Sequence, residues 1–255
     1  MPNSVKATLL ELLNWQEAEK VLNKHAVIVI PIGAQLKEHG LHLQLNNDWL
    51  MAEALRDRVA CSQPVLIAPT INYSYYPAMA DYPGTVSLRI ETAKAIFVDI
   101  VRSLARFGPR YFYFLNTGIS TLKPLKAAAD EVKQEGVIVH YSDLSRLLSE
   151  CKAALEEQEG GSHADEIETS MMMYLAPETV RMELAKPDFH GDTPGPLSRT
   201  EKPDTTFSPT GAWGNPTLAT KVKGEALVTC LMHGITGDIE VLLAQAKEHS
   251  SSTIK

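Results

Sequence analysis

Short unbroken apolar runs punctuate this chain, and between them apolar residues recur every three or four positions. Ala26 to Ile30, Val65 to Ala68, Tyr111 to Leu115 and Val137 to Val139 are apolar, rich in β-branched or aromatic residues, and stop at Pro or polar residues. Runs of this length and type predict strands buried on both faces. A short helix is expected over Trp15 to Leu22. A second, capped by Asp48, carries its apolar stripe through Trp49, Met51, Leu55 and Val59. Ser87 to Phe107 repeats apolar residues at Ile90, Ala93, Phe97, Ile100, Val101 and Leu104 before Gly108-Pro109 stops it. Pro124 sits in the first turn of a further helix. Strands alternating with helices predict an α/β fold with a mostly parallel sheet flanked by helices on both faces.

The second half is patterned differently. Lys152 to Gly161 is acidic, ends in two glycines and reads as a mobile loop. Ala164 to Leu175 reads as a helix whose Met171, Met172 and Met173 are core packing. Lys186 to Pro216 holds six prolines in 31 residues, an irregular excursion of the kind that tends to be functional or interfacial. A helical pattern resumes over Gly224 to Lys247. The 255 residues suit a single α/β domain, 1–255, with its excursion at 186–216.

Composition changes the picture mainly by exclusion. A net charge of −7 without a basic stripe argues against a nucleic-acid partner. No apolar run was found that approaches the roughly 20 residues of a membrane span, so no membrane partner is expected. Cys61, Cys151 and Cys230 are odd in number and far apart, and read as small apolar residues in a reducing compartment rather than a disulfide frame. The opening Met-Pro-Asn-Ser lacks a basic segment before an apolar core, so no leader is expected and the chain reads as cytoplasmic.

Candidate chemistry gathers where the first strand ends. Pro31 and Gly33 close it, and Lys37-Glu38-His39-Gly40-Leu41-His42 follows, with Asp48 nine residues beyond His39. Open α/β sheets place ligands at the carboxyl ends of their strands. Imidazole nitrogen with carboxylate oxygen suits a divalent first-row metal. A solvated polar loop is an equal alternative on spacing alone. The turn Asn116 to Thr121 after the third strand could hold a polar or anionic substrate group through Asn116, Thr117 and Ser120, or be ordinary capping. Tyr75, Tyr76 and Trp213 lie in loops that could cover a pocket, and Tyr75 and Trp213 are taken as substrate-contact candidates.

Three segments together carry a family resemblance. Pro31-Ile32-Gly33-Ala34 with Glu38 to Leu43 and Asp48 resembles the opening motif of the creatininase (creatinine amidohydrolase) family. His163-Ala164-Asp165-Glu166-Ile167-Glu168-Thr169-Ser170 is similar to its second signature, and Gly211 to Thr220 with Lys223-Gly224-Glu225 to its third. The resemblance implies metal-dependent cleavage of a cyclic or other non-peptide amide C–N bond by a ring of subunits, a hexamer being favoured here. It also implies metal ligands His39, Asp48 and Glu166, with His163 near the metal and His42 orienting its neighbours.

The family's second metal set departs from its pattern here. Lys37 stands two before the motif histidine, where a glutamate ligand is expected, and Gly118 stands where a histidine ligand is expected. One divalent ion, Zn, Mn or Fe, is therefore expected instead of two. Lys37 could take the place of the lost cation and polarise a carbonyl, or could point to solvent. Glu38 could be a shifted ligand or a general acid/base, and His163 could orient substrate, shuttle protons or cap a helix. The expected activity is hydrolysis of a small amide or related C–N bond by metal-bound water. The alternative is a relative that kept the pocket for binding or other chemistry.

Overall fold

The computed structural model describes residues 5–23, 26–190 and 195–252. Five parallel strands form the central sheet in the order β1 (Thr8–Leu9), β3 (Leu66–Ile67), β2 (Val27–Ile32), β4 (Tyr111–Asn116) and β5 (Ile138–Tyr141). Alternation within each strand divides the core. Val27 and Val29 with Tyr111, Tyr113 and Leu115 face one side, where α2 (Asn47–Ser62), α5 (Leu144–Leu155), α6 (Glu166–Leu175) and α7 (Lys221–Ser252) pack. Ile28, Ile30 and Ile32 with Phe112 and Phe114 face the other, beneath α3 (Ile90–Ala105) and α4 (Leu122–Lys133). A short α1 (Trp15–Val21) precedes β2 and is closed by an Asn14/Glu17 capping box. Burial on both faces explains why β2 and β4 read as continuous apolar runs rather than alternating ones.

The topology positions the site. From β2 the chain crosses to β3 through α2, and from β4 it crosses to β5 in the opposite direction through α4. The strand order therefore reverses between β2 and β4, and the crevice beyond their carboxyl ends is where such sheets bind ligands. Gly33 lies at this crevice. A Cβ there would come 2.3 Å from the backbone oxygen of Asp48, so only glycine lets α2 begin so close to β2.

Several sequence expectations are corrected by the fold. Asp48 does not cap α2. It lies inside the first turn, and the N-cap position is Asn46, which makes no side-chain capping bond. Pro31 does not end its strand, because β2 runs on to Ile32 and the Pro31 carbonyl still accepts from the Ile71 amide. Lys152 to Leu155 is the end of α5 rather than loop, and the turn beyond it is anchored through buried Gln158. Cys151 on α5 and Cys230 on α7 are joined by a disulfide and only Cys61 is free, which removes the cysteine argument for a reducing compartment. Lys221–Glu248 is long and apolar enough, by length and composition, to cross a membrane, contrary to the expectation. Its stripe Leu227, Leu231, Ile235, Ile239 and Leu242 is instead spent on the core.

The proline-rich excursion carries two short parallel strands, β6 (Leu197–Ser198) and β7 (Thr206–Phe207). It is tied to the tyrosine-rich loop. The Tyr82 hydroxyl donates to the Ser208 carbonyl at 2.7 Å, and the Ser198 hydroxyl donates to Asp81 at 2.8 Å.

Candidate active site

Lys37, His39 and Asp48 meet at the crevice between β2 and β4. The Lys37 ammonium donates to Asp48 Oδ2 at 2.6 Å, and His39 Nε2 lies 2.8 Å from Asp48 Oδ1. Lys37 is 9% exposed and Asp48 1%. Burial opposes both charges, yet their mutual attraction, with His39 helping Asp48, raises the lysine pKa and lowers that of the carboxyl. Gly118 completes the arrangement. A Cβ there would lie 3.0 Å from the Thr121 hydroxyl and 3.9 Å from Asp48 Oδ2, so the position expected to carry a histidine borders the oxygen that Lys37 now occupies.

His39 shows what the site requires. Its Nδ1 lies 2.9 Å from the Lys37 carbonyl, which can only accept, so Nδ1 carries a hydrogen and donates it. Without a second proton the ring would present a bare Nε2. Two carboxylate oxygens converge on that atom, Asp48 Oδ1 at 2.8 Å and Glu168 Oε1 at 3.4 Å. Two anionic oxygens around a nitrogen lone pair repel unless a cation, a proton or a metal ion, sits among them. His39, His163 and Glu168 also offer ligand atoms all within 4.8 Å of one another. The group able to hold a divalent ion is His39, His163 and Glu168, with Asp48 Oδ1 2.8 Å from His39 Nε2. On the other side of Asp48 stand the Lys37 ammonium and Gly118.

Glu168, not Glu166, serves this cluster. Residues two apart on a helix lie about 200° apart around its axis, so only one of the pair can face the crevice. Glu166 turns away. Its carboxylate accepts from the Glu157 and Gln158 amides at 2.9 and 2.8 Å and pairs with Lys223 from α7 at 2.5 Å. Its work is to fasten the 156–161 turn and α7 to the start of α6. Glu168 is steadied by the Asn47 amide at 2.9 Å and the Ala164 amide at 2.8 Å. Burial pushes its pKa up, but His39 and His163 outweigh that and hold it ionised.

Glu38 and His163 form a second pair. His163 Nε2 lies 3.0 Å from both the backbone and the carboxylate oxygens of Glu38 and donates to them, leaving Nδ1 toward Glu168 at 3.9 Å. Burial alone would lower the His163 pKa, but the Glu38 bond and charge raise it. Glu38 is enclosed. Its carboxylate takes the Gly40 amide and abuts Gly211, where a Cβ would fall 2.0 Å from Oε1. In this arrangement Glu38 holds the His163 ring in place. His42 bonds to the Thr169 hydroxyl at 2.8 Å, which ties its loop to α6. Burial depresses its pKa to about 4.

A cavity of about 440 Å³ opens onto this polar floor. Lys37, Asp48, His163 and Glu168 line it, with Ser120 and Trp213 among the expected contact residues. Trp213 is placed there by backbone pairing with His163, N to O 2.8 Å. Three expected contacts are corrected. Asn116 spends its side chain inside the turn, on the Gly118 and Ser142 backbone. The Thr117 hydroxyl, though at the cavity, is committed to the Ile32 and Asp48 carbonyls. Tyr75 packs into the core beneath α3, and its neighbour Tyr76 faces the cavity instead. The Tyr76 ring lies 5.7 Å from the Lys37 ammonium, and its hydroxyl has no hydrogen-bond partner among the described residues. Burial, reinforced by Asp48, raises its pKa and keeps it a neutral donor. Local composition did not mark Tyr76 above its neighbours.

The cluster and the crevice define a class of protein, and comparison with known proteins names it. The creatininase family model, described as creatinine amidohydrolase, matches residues 11–239, and the chain belongs to that family. It is 27% identical over 253 residues to a creatinine amidohydrolase of Pseudomonas putida, covering 92% of this chain and 96% of that one. It is 27% identical over 210 residues to a mycofactocin precursor peptide peptidase of Mycobacterium ulcerans (strain Agy99), covering 78% of this chain and 79% of that one. A solved creatinine amidohydrolase superposes with a TM-score of 0.75 at 25% identity, covering 92% of this chain and 97% of that one. A manganese creatininase superposes equally well, at 0.75 and 24% identity over 93% of this chain and 99% of that one. The family is of metal-dependent amidohydrolase type.

Proposed function

We propose that this protein hydrolyses an amide C–N bond with a single divalent ion, Zn, Mn or Fe, and an ammonium where relatives of the family hold a second cation. The observation that carries the reading is Asp48. One of its oxygens faces the His39–Glu168 cluster and the other is taken by Lys37 at 2.6 Å. Zinc held by these residues would supply Lewis acidity and lower the pKa of water toward neutrality.

The chain's own residues supply the rest. Asp48 couples the cluster to Lys37, so the ammonium is fixed at the cavity floor before substrate arrives. Lys37 offers positive charge to a carbonyl oxygen as negative charge develops there, the role of an oxyanion donor. His163, held through Nε2 by Glu38, keeps Nδ1 on the cavity side, where it can return a proton to the departing nitrogen. The family's conversion of creatinine is ascribed to a site with two metals, so creatinine itself is a poor substrate for this one. The family's ring-forming habit and the long excursion at 186–216 support a homo-oligomer, a hexamer being favoured.

Plasma emission analysis of gently purified protein tests the reading. One ion per chain with turnover of an amide panel is expected. Two ions per chain would sink the replaced-cation argument. No ion after added zinc or manganese would favour the non-hydrolytic alternative.

A further inference from the structure

We propose that the Cys151–Cys230 disulfide is a redox-sensitive fastener for one wall of the cavity, and that a dithiol reductant, by opening it, frees α5 and weakens substrate binding while the metal cluster stays whole. The effect on substrate rests on the hydrolase reading above; the freeing of α5 does not.

The place of α5 is the first support. Leu144, Ser145, Leu148 and Lys152 all line the cavity, at spacings that put them on one face of the helix. The Lys152 ammonium also donates to the Gly161 carbonyl at 3.3 Å, and Gly161 and Ser162 line the cavity in turn. Movement of α5 therefore reaches the segment that leads to His163. By contrast, His39, Asp48 and Glu168 stand on the loop after β2, on α2 and on α6, and the disulfide joins none of these.

The second support is how lightly α5 is otherwise held. It has 12 residues, and Leu148 is the only one of them fully buried. A helix of that length is marginal in water without tertiary packing. Leu144, Leu147 and Leu155 pack only half-buried against the core. Arg146 pairs with Asp238 at 2.5 Å, but its side chain is 57% exposed, and exposed pairs contribute little. Helix α7 is the firm partner, with Leu227, Leu231, Ile235, Ile239 and Leu242 wholly buried. The disulfide thus ties a lightly packed helix to a deeply packed one across 79 residues of sequence. When the tie opens, α5 is the side that yields, because lightly packed elements open locally before the core does.

The bond is also within reach. Cys151 and Cys230 are each half-buried rather than enclosed, and their chain neighbours Glu150 and Thr229 are exposed. Disulfides open to solvent exchange with thiols more readily than enclosed ones. A thiolate of the dithiol attacks one sulfur, the Cys151–Cys230 bond breaks and a mixed disulfide forms. The second thiolate of the dithiol then displaces the remaining cysteine. The two cysteines gain two electrons and two protons, and the dithiol leaves as its own disulfide.

The test uses manganese-loaded protein, because thiols compete poorly for that ion. Dithiothreitol is added and then removed under argon. Titration should find one thiol per chain before treatment, Cys61, and three afterwards. Three at the outset, in protein purified without reductant, overturns the proposal. Hydrogen exchange should quicken about tenfold or more over α5 and the 156–161 turn, with α2, α6 and the manganese content unchanged. Equal exchange in the two states overturns the proposal, and so does loss of metal on reduction. Oxidised glutathione should reverse the change. On an amide that the protein turns over, KM should rise about fivefold or more with kcat held within about twofold, and an unmoved KM would reduce the disulfide to a purely structural tie. If no amide is turned over, the hydrolase reading fails by itself, and the exchange data still decide whether the wall is freed. Cys151→Ser with Cys230→Ser should behave as the reduced protein, ignore dithiothreitol and melt roughly 5–10 °C lower. Should that variant not fold, reversible reduction of the wild type carries the test. Cys61→Ser should keep the full response, and its loss there would assign the effect to Cys61 and overturn the proposal.

Discussion

Replacing Lys37 by methionine is the perturbation that bears most directly on this site, because it deletes the charge and keeps the apolar stem. At 2.6 Å from Asp48 Oδ2, the ammonium attracts the carboxylate by about 6 kcal/mol at an effective dielectric of 20. Taking both charges out of water costs several kcal/mol, so the pair as a whole contributes little net stability. Removing one partner is different, because Asp48 is 1% exposed and keeps its charge. Breaking a buried pair in this way costs roughly 3–5 kcal/mol. For a chain of 255 residues, that is about 6–9 °C of melting temperature. The assay is calorimetry of metal-stripped wild type, Lys37→Met, Asp48→Asn and the double variant. The coupling between the two single changes should be several kcal/mol, because Asp48→Asn relieves the charge that Lys37→Met strands. Zinc-loaded Lys37→Met should lose less stability than the stripped protein, since bound cation supplies charge to the same carboxylate. Turnover should fall about 10²-fold or more, the scale of losing one oxyanion donor. A metal-stripped Lys37→Met protein melting within a degree of wild type, with no coupling to Asp48→Asn, would refute the reasoning.

The other expectations follow from the same geometry. Glu168→Gln should abolish metal retention with little change in melting temperature, whereas Glu166→Gln should keep the metal and lower the melting temperature by several degrees; plasma emission and calorimetry read both, and the reverse pattern would return the ligand role to Glu166. Lys37→Glu combined with Gly118→His should raise metal content toward two ions per chain, because both changes face Asp48 Oδ2, and a content that stays at one would show that other features bar the second ion. His42, with its pKa lowered to about 4, is neutral when folded and takes its proton near pH 6.5 when unfolded, so its contribution is complete above about pH 6.5 and is lost as the pH falls toward 4. That loss is on the order of 3 kcal/mol, visible in urea melts across this window and absent in His42→Gln if that variant folds. Light scattering should return a mass several times that of the 28.0 kDa chain, and a monomer at working concentration would remove the oligomer from the proposal.

The sequence by itself determined the layers and the place of the chemistry. Runs such as Val27 to Ile30 and Tyr111 to Leu115 can bury every side chain only inside a sheet covered on both faces, and that is a local property. The loop holding Lys37, His39 and Asp48 had to lie at the carboxyl end of the first central strand for the same reason. The substitutions at Lys37 and Gly118 were visible as departures from a motif. Tertiary structure decided what depends on rotation or on distant partners. Glu166 and Glu168 are indistinguishable in a signature, but the phase of α6 sends one to Lys223 and the other to His39. Tyr75 and Tyr76 are adjacent, yet the first packs half-buried against the core beneath α3 and the second lines the cavity. Glu38 was drawn to His163 across 125 positions of sequence, and Cys151 met Cys230 because α5 packs on α7. Such pairings carry no local signal, since they exist only when separate elements are brought face to face.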